Sequence, residues 1–215
     1  MRIQRTANAG VLLELDGKRI LLDGVCEGYG PYLATPSWIS EAILRDQIPD
    51  VLIYTHRHPD HYDALFVSHY LQNAAGPVMG PADIPYATVE EMKIGDIVIT
   101  PIETRHIGKT DGCMHRSYVL QGSQCVWFLG DASLIDWKRN NNLPKPDMII
   151  APFGFVSDLG WEYCVSTGAK IIMIVHMPSK EYDPYNLWGA FSKERYDQNQ
   201  PAVYIPELGE VISLG

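Results

Sequence analysis

The residues best equipped for chemistry lie in one short segment, Thr55-His56-Arg57-His58-Pro59-Asp60-His61. Each imidazole can offer a cation one neutral nitrogen, and an aspartate adds a charged oxygen. Three of the chain's 7 histidines fall here, a density that an ordinary polar surface loop does not require. In an extended or turning loop, alternate residues share a side. His56 and His58 can then reach one ion. Asp60 and His61, beyond the turn that Pro59 stiffens, can reach a second.

One loop does not complete a metal site, so the remaining candidates matter. His176 ends the apolar run 171–175, His106 closes the run 97–104, and His115 opens the run through Ser117-Tyr118-Val119. His69 falls inside an expected helix and reads as a packing or surface residue. Asp131 follows Trp127-Phe128-Leu129-Gly130. It reads either as an N-cap for Ala132-Ser133-Leu134 or, with the histidine cluster present, as a further ligand.

The elements that must position these groups can be read from pattern. Two apolar runs joined by Asp16-Gly17 predict a β-hairpin over 11–23. Thr35-Pro36-Ser37 opens a helix to about Gln47, with Thr35 as cap and Pro36 in the first turn. The apolar run 50–54 predicts a buried strand directly before the histidine loop, and Asp63 caps a second helix to about Ala74. A strand over 97–104, a hairpin over 117–129, strands at 148–151 and 171–175, and a helix at 159–166 stopped by Gly168 follow. The tail, 202–205 and 210–214, reads as a closing strand pair. Such an order suits two mixed sheets packed together with helices outside, as one domain spanning 1–215.

Composition narrows the class. With 215 residues, 46% hydrophobic and 20% charged, the chain is globular rather than collagen-like, coiled-coil or disordered. A net charge of −9 and no basic run longer than Lys18-Arg19 or Lys138-Arg139 argue against nucleic acid as partner. Cys26, Cys113, Cys125 and Cys164 form no C-x-x-C pair and read as reduced thiols. No signal-peptide pattern and no apolar stretch of membrane-spanning length is seen, so a cytoplasmic protein without a membrane partner is expected. Whether it forms a homo-oligomer is left open.

Taken together, His56-x-His58-x-Asp60-His61 resembles the signature of the metallo-β-lactamase superfamily. Gly130-Asp131 resembles its later Gly-Asp element, His176 its last histidine, and the hairpin ending Leu21-Leu22-Asp23 its opening. The resemblance, closest to compact lactonase-like members, implies an α/β fold: a four-layer αββα sandwich of two mixed β-sheets flanked by helices. It implies a binuclear site with His56, His58 and a third histidine on the first ion, and Asp60, His61 and His176 on the second. Asp131 would bridge. His106 is favoured as the third histidine over His115, which would instead bind substrate or donate a proton. Two divalent ions, zinc first with manganese or iron compatible, would share a hydroxide that attacks an ester, lactone or phosphoester, and Asp60 would hold or shuttle its proton. Arg57, Arg105 and Lys109 flank the ligands and would hold an anionic small molecule. Trp161, Tyr163, Tyr182, Tyr185 and Trp188 would wall a pocket or fill core. The alternatives are a nuclease or phosphodiesterase of the same fold, a di-iron oxygen or nitric-oxide reductase, and a non-catalytic metal-binding or sensing domain.

Overall fold

A computed structural model describes residues 1–73, 76–108, 112–140, 142–191 and 201–214. Lys109 and Ala74 lie outside them. The strands are β1 (Arg2–Arg5), β2 (Val11–Leu15), β3 (Lys18–Leu22), β4 (Val51–Ile53), β5 (Val78–Met79), β6 (Ala87–Thr88) and β7 (Met92–Ile94). They continue with β8 (Ile97–Glu103), β9 (Arg116–Gln121), β10 (Cys125–Phe128), β11 (Met148–Pro152), β12 (Ile171–Val175), β13 (Ala202–Tyr204) and β14 (Val211–Ser213). The helices are α1 (Ser37–Arg45), α2 (Ala64–Asn73), α3 (Leu134–Trp137), α4 (Asp158–Ser166) and α5 (Leu187–Ala190).

Two seven-stranded sheets result, ordered β14-β1-β2-β3-β4-β5-β6 and β13-β12-β11-β10-β9-β8-β7. Both are mixed. Strands β3 to β6 run parallel, as do β10 to β13, and the other pairings are antiparallel.

Side-chain alternation explains why the central strands read as unbroken apolar runs. Val51 and Ile53 of β4, Met148 and Ile150 of β11, and Met173 and Val175 of β12 enter one core shared between the sheets. Leu52 faces the other way, onto Ile39 and Ile43 of α1 and Phe66, Val67 and Tyr70 of α2. Ile149, Ile172 and Ile174 pack outward with Trp137 of α3 and Cys164 of α4. Both faces of each sheet are thus covered, which gives the expected αββα order of layers.

Asp16 and Gly17 take φ of 49° and 73°, as a type I′ hairpin turn requires. Asp63 caps α2 by accepting from Phe66 N–H at 2.9 Å. Gly168, at φ 73°, ends α4 in the left-handed region as expected. Two expectations need correction. Thr35 does not cap α1: its hydroxyl accepts from Cys26 N–H at 3.0 Å, Pro36 takes the cap position without a side-chain bond, and the helix runs 37–45. The tail does not form a strand pair either. Strand β13 extends the second sheet beside β12, whereas β14 crosses to the first sheet and pairs with β1. Three-residue strands carry too little pattern to choose an edge. All four cysteines are free thiols. No helix among the described residues is long and apolar enough to cross a membrane.

Candidate metal centre

The parallel strands deliver their carboxyl ends to one edge of the sandwich, where ligands of open α/β sheets commonly bind. Strand β3 leads to Asp23, β4 to Thr55 and the histidine loop, β10 to Gly130 and Asp131, and β12 to His176. Antiparallel β9 brings His115 in at its start, as β8 brings His106 in beyond its end. His106 lies three residues past that end and is held by an antiparallel bridge to Ala132. The flanking bonds Ile107 N–H to Asp131 O (2.7 Å) and Ser133 N–H to Arg105 O (2.8 Å) zip the two segments together. Asp131 therefore caps no helix; Ser133 occupies the cap position of α3.

Donor atoms gather in three overlapping groups, each within 4.8 Å: His56, His58 and His106; His56, His61 and Asp131; Asp60, His61 and His176. Asp131 is central. Its Oδ2 lies 3.5 Å from His61 Nε2, 3.4 Å from His106 Nε2 and 3.5 Å from His176 Nε2. His176 Nε2 is also 3.3 Å from Asp60 Oδ2, and His56 Nε2 is 3.0 Å from His58 Nδ1. A tetrahedral ion bonded at about 2.0–2.1 Å holds its ligand atoms roughly 3.4 Å apart, so these spacings suit cations.

The buried nitrogens make the same point. His61, His106 and His176 each bury an Nε2 that has no hydrogen-bond partner, as does Asp131 its Oδ1. Orphaned buried polar atoms are costly and need an explanation. A set of imidazole nitrogens and carboxylate oxygens fits a divalent transition metal.

Hydrogen bonding fixes which nitrogen each ring presents. Asp23, fully buried, accepts from Thr55 N–H (2.7 Å), Thr55 Oγ1 (2.6 Å) and His61 Nδ1 (2.9 Å). His61 therefore keeps its proton on Nδ1. The Thr55 hydroxyl already donates its hydrogen bond to Asp23, so toward His56 Nδ1, 2.9 Å away, it can only accept. His106 Nδ1 donates to Ile107 O at 2.6 Å. Three rings thus turn Nε2 toward the centre, the arrangement expected of oriented metal ligands.

Charge follows the same geometry. Burial disfavours the Asp131 carboxylate, but His176 and His61 beside it prevail and hold its pKa well below the usual range. Burial also opposes a charge on His61, yet Asp131 and Asp23 carry its pKa well above the ordinary value. His56, with fewer carboxylates near, is pushed well down by burial.

His115 stands apart. Its nitrogens join none of the three groups, although its ring lies 5.2 Å from that of His56. Ser117 Oγ donates to Leu129 O (2.7 Å), leaving it only to accept from Thr104 Oγ1 (3.2 Å). Thr104 must then accept from His115 Nδ1 (2.8 Å). His115 Nε2 is left bare, buried and without a partner, and burial lowers this imidazole's pKa to about 3.

Behind His176 sits a residue that sequence reading missed. Arg5, 3% exposed, donates to the carbonyls of Ala7 (3.1 Å), Asn8 (3.3 Å), Pro206 (2.9 Å) and Met177. Burial lowers its pKa to about 10, which leaves it charged at neutral pH. His176 takes φ 61° and donates its N–H to Asn8 O at 2.8 Å, so the Arg5 network holds the turn that aims it. Asp23 was also missed as a functional group. Its only sequence signal is an aspartate ending an apolar strand.

The other expected residues spread out. Arg57 donates to Asp83 O at 2.9 Å and lies over the Tyr62 ring. Arg105 grips Asp136 with Nε (2.6 Å) and Nη2 (3.0 Å). His69 is exposed on α2. Trp161, Tyr163 and Trp188 pack against the outer core of the second sheet, while Tyr182 and Tyr185 are exposed. Beside the centre opens a cavity of about 1150 Å³, lined among others by His106, His115, Arg105, Met114 and Phe155.

Comparison with known proteins agrees with this geometry. A possible metal-dependent hydrolase from Veillonella parvula has TM-score 0.71 at 17% identity, covering 100% of this chain and 99% of that one. An isothiocyanate hydrolase from Delia radicum gut bacteria has TM-score 0.70 at 18% identity, covering 99% of each. The metallo-β-lactamase fold protein YhfI from Bacillus subtilis has TM-score 0.63 at 16% identity, covering 98% of each. At such identities the likeness is one of fold. No curated protein sequence matches. The family model described as the β-lactamase superfamily domain matches residues 2–175. This chain therefore belongs to the metallo-β-lactamase superfamily.

Proposed function

We propose that the protein is a metal-dependent hydrolase of small molecules carrying an ester, lactone or phosphoester bond. The observation that carries this reading is the ring of unpartnered Nε2 atoms of His61, His106 and His176 around Asp131 Oδ2, at 3.4–3.5 Å. In this reading His56, His58 and His106 would hold a first divalent ion, Asp60, His61 and His176 would hold a second, and Asp131 would serve as a further ligand. Zinc suits the nitrogen-rich donor set best, with manganese or iron compatible. Such ions, when bound, act as Lewis acids and make water nucleophilic near neutral pH.

The chain's own residues do the rest. Asp23 and Thr55 hold the rings of His56 and His61 in the tautomer that leaves Nε2 free. Asp60, 8% exposed and 3.3 Å from His176 Nε2, would accept a proton from bound water and pass it on. His115 Nε2 is an acceptor near His56 rather than a ligand.

The test is metal content per chain by elemental analysis, with His106→Ala and His115→Ala alongside, followed by a screen of aryl esters, lactones and phosphodiesters. An isothiocyanate belongs in the screen, since one structural neighbour is named for hydrolysing it. The expected result is about two ions per chain, reduced by His106→Ala and not by His115→Ala, with turnover lost in Asp60→Ala. Protein that stays empty after adding zinc, manganese or iron would overturn the reading.

A further inference from the structure

The cavity beside the centre has a charged rim that the hydrolytic reading leaves unused. Asp136, 8% exposed, sits beneath two arginines. Its Oδ2 accepts Arg105 Nε (2.6 Å) and the Arg105 backbone N–H (3.1 Å). Its Oδ1 accepts Arg105 Nη2 (3.0 Å) and Arg139 Nη1 (3.1 Å). The carboxylate is thereby saturated. Both guanidinium groups still face solvent, with side chains 72% and 71% exposed. Among the described residues no acceptor meets Arg105 Nη1 or Arg139 Nε and Nη2. Among the described residues the two remaining charged groups lining the cavity, Arg116 and Glu103, satisfy each other at 2.9 Å. Three arginines against two carboxylates leave this wall at +1, on a chain whose net charge is −9. His106 and His115 line the same cavity as these arginines.

Planar guanidinium groups match the paired oxygens of carboxylate and phosphate, and arginines already fixed by a partner lose little freedom on binding. We propose that Arg105 and Arg139, fixed by Asp136, form an oxyanion clamp that selects substrates bearing a carboxylate or phosphate a few bonds from the bond that is cut. This rests on the hydrolase reading and names its substrate class. Arg105 and Arg139 touch the substrate; Asp136 is a positioning residue.

The test compares two matched esters on zinc-loaded protein: mono-4-nitrophenyl glutarate, with a free carboxylate, and its neutral methyl ester. Arg139→Met, which keeps an apolar stem, is expected to raise KM for the free acid about 10-fold. The rise in KM for the neutral methyl ester is expected to be much smaller, because that ester offers the clamp no charge. Asp136→Asn is expected to weaken the free acid as well, although it makes the rim more positive, because it releases both arginines. Stronger binding of the acid by Asp136→Asn would overturn the clamp in favour of bulk charge. Equal effects of Arg139→Met on both esters would overturn it too.

Calorimetric titration with glutarate and with phenyl phosphate gives a readout independent of turnover. Whichever loses more affinity in Arg139→Met identifies the oxyanion, and no loss in either refutes the clamp. If wild-type protein cleaves neither ester nor any compound of the wider screen, the hydrolase reading fails, while these titrations still decide on the clamp.

Discussion

Replacing Asp23 by asparagine should disarm the centre without touching a single proposed ligand. Asparagine keeps one oxygen, which can still accept Thr55 N–H as Asp23 Oδ1 does at 2.7 Å. The other position becomes an amide nitrogen facing Thr55 Oγ1 and His61 Nδ1, both donors to Asp23 at 2.6 and 2.9 Å. Two charge-assisted bonds disappear, worth about 1.5–3 kcal/mol each. Relief from burying a carboxylate offsets part of that loss. The amide now donates to His61 Nδ1, which moves the imidazole proton to Nε2 and blocks the nitrogen meant for the cation. His56 is affected through Thr55, since the hydroxyl is freed to donate to His56 Nδ1. Losing one orienting partner of a ligand costs about 10–100-fold in metal affinity. Asp23 orients two rings, so the upper end applies, about 100-fold or 2.7 kcal/mol. A competition titration of zinc against a chromophoric chelator measures this directly. Thr55→Val removes the hydroxyl between Asp23 and His56 but keeps the Asp23–His61 bond; it should cost about 10-fold and carries the test if Asp23→Asn does not fold. Wild-type zinc affinity in both variants would refute the reasoning.

Other predictions follow from neighbouring features. Gly130 has φ 52°, and an added Cβ would lie 2.4 Å from Thr55 Cγ2. Gly130→Ala should therefore cost about 2–5 kcal/mol by urea unfolding, from left-handed strain and overpacking; an unchanged midpoint would show that the close approach yields easily. Arg5→Met strands the carbonyls of Ala7, Asn8, Met177 and Pro206. A loss of about 2–4 kcal/mol is expected, with reduced zinc content because His176 loses its support; full zinc content would separate Arg5 from the centre. Zinc at 100-fold over its Kd should stabilise the protein by about 2.7 kcal/mol near neutral pH. That gain should shrink as pH falls below about 6.5, where free histidines take up protons that compete with the ion. Equal thermal shifts at pH 7.5 and 5.5 would argue against histidine ligands.

What could be read in advance was whatever depends on short-range order. Asp16-Gly17 has one comfortable conformation between apolar runs, and the hairpin follows. The run at 51–53 is buried on both faces, which its composition shows and its neighbours need not. The histidine loop is legible because its donors are adjacent. Features set by distant partners were hidden. Strand β1 has one apolar residue in four, Arg2-Ile3-Gln4-Arg5; its alternation is one of burial and puts a cation, Arg5, inside. The Thr35 hydroxyl has an N-cap's chemistry, but Cys26 N–H claims it. Which of His106 and His115 joins the other donors depends on which ring the 131–133 segment draws in, and that pairing is long-range.

The donors come from both sheets: His56, His58, Asp60 and His61 follow β4, whereas Asp131 and His176 follow β10 and β12. Neither leaf of the sandwich holds a complete set. The centre thus acts as a registry gauge for the whole fold. A slip of one residue in β12 against β11 would carry His176 about 3.3 Å along and turn it to the opposite face, while coordination distances tolerate about 0.2 Å. Ion occupancy would then report, within tenths of an ångström, whether the two sheets have met in the right alignment.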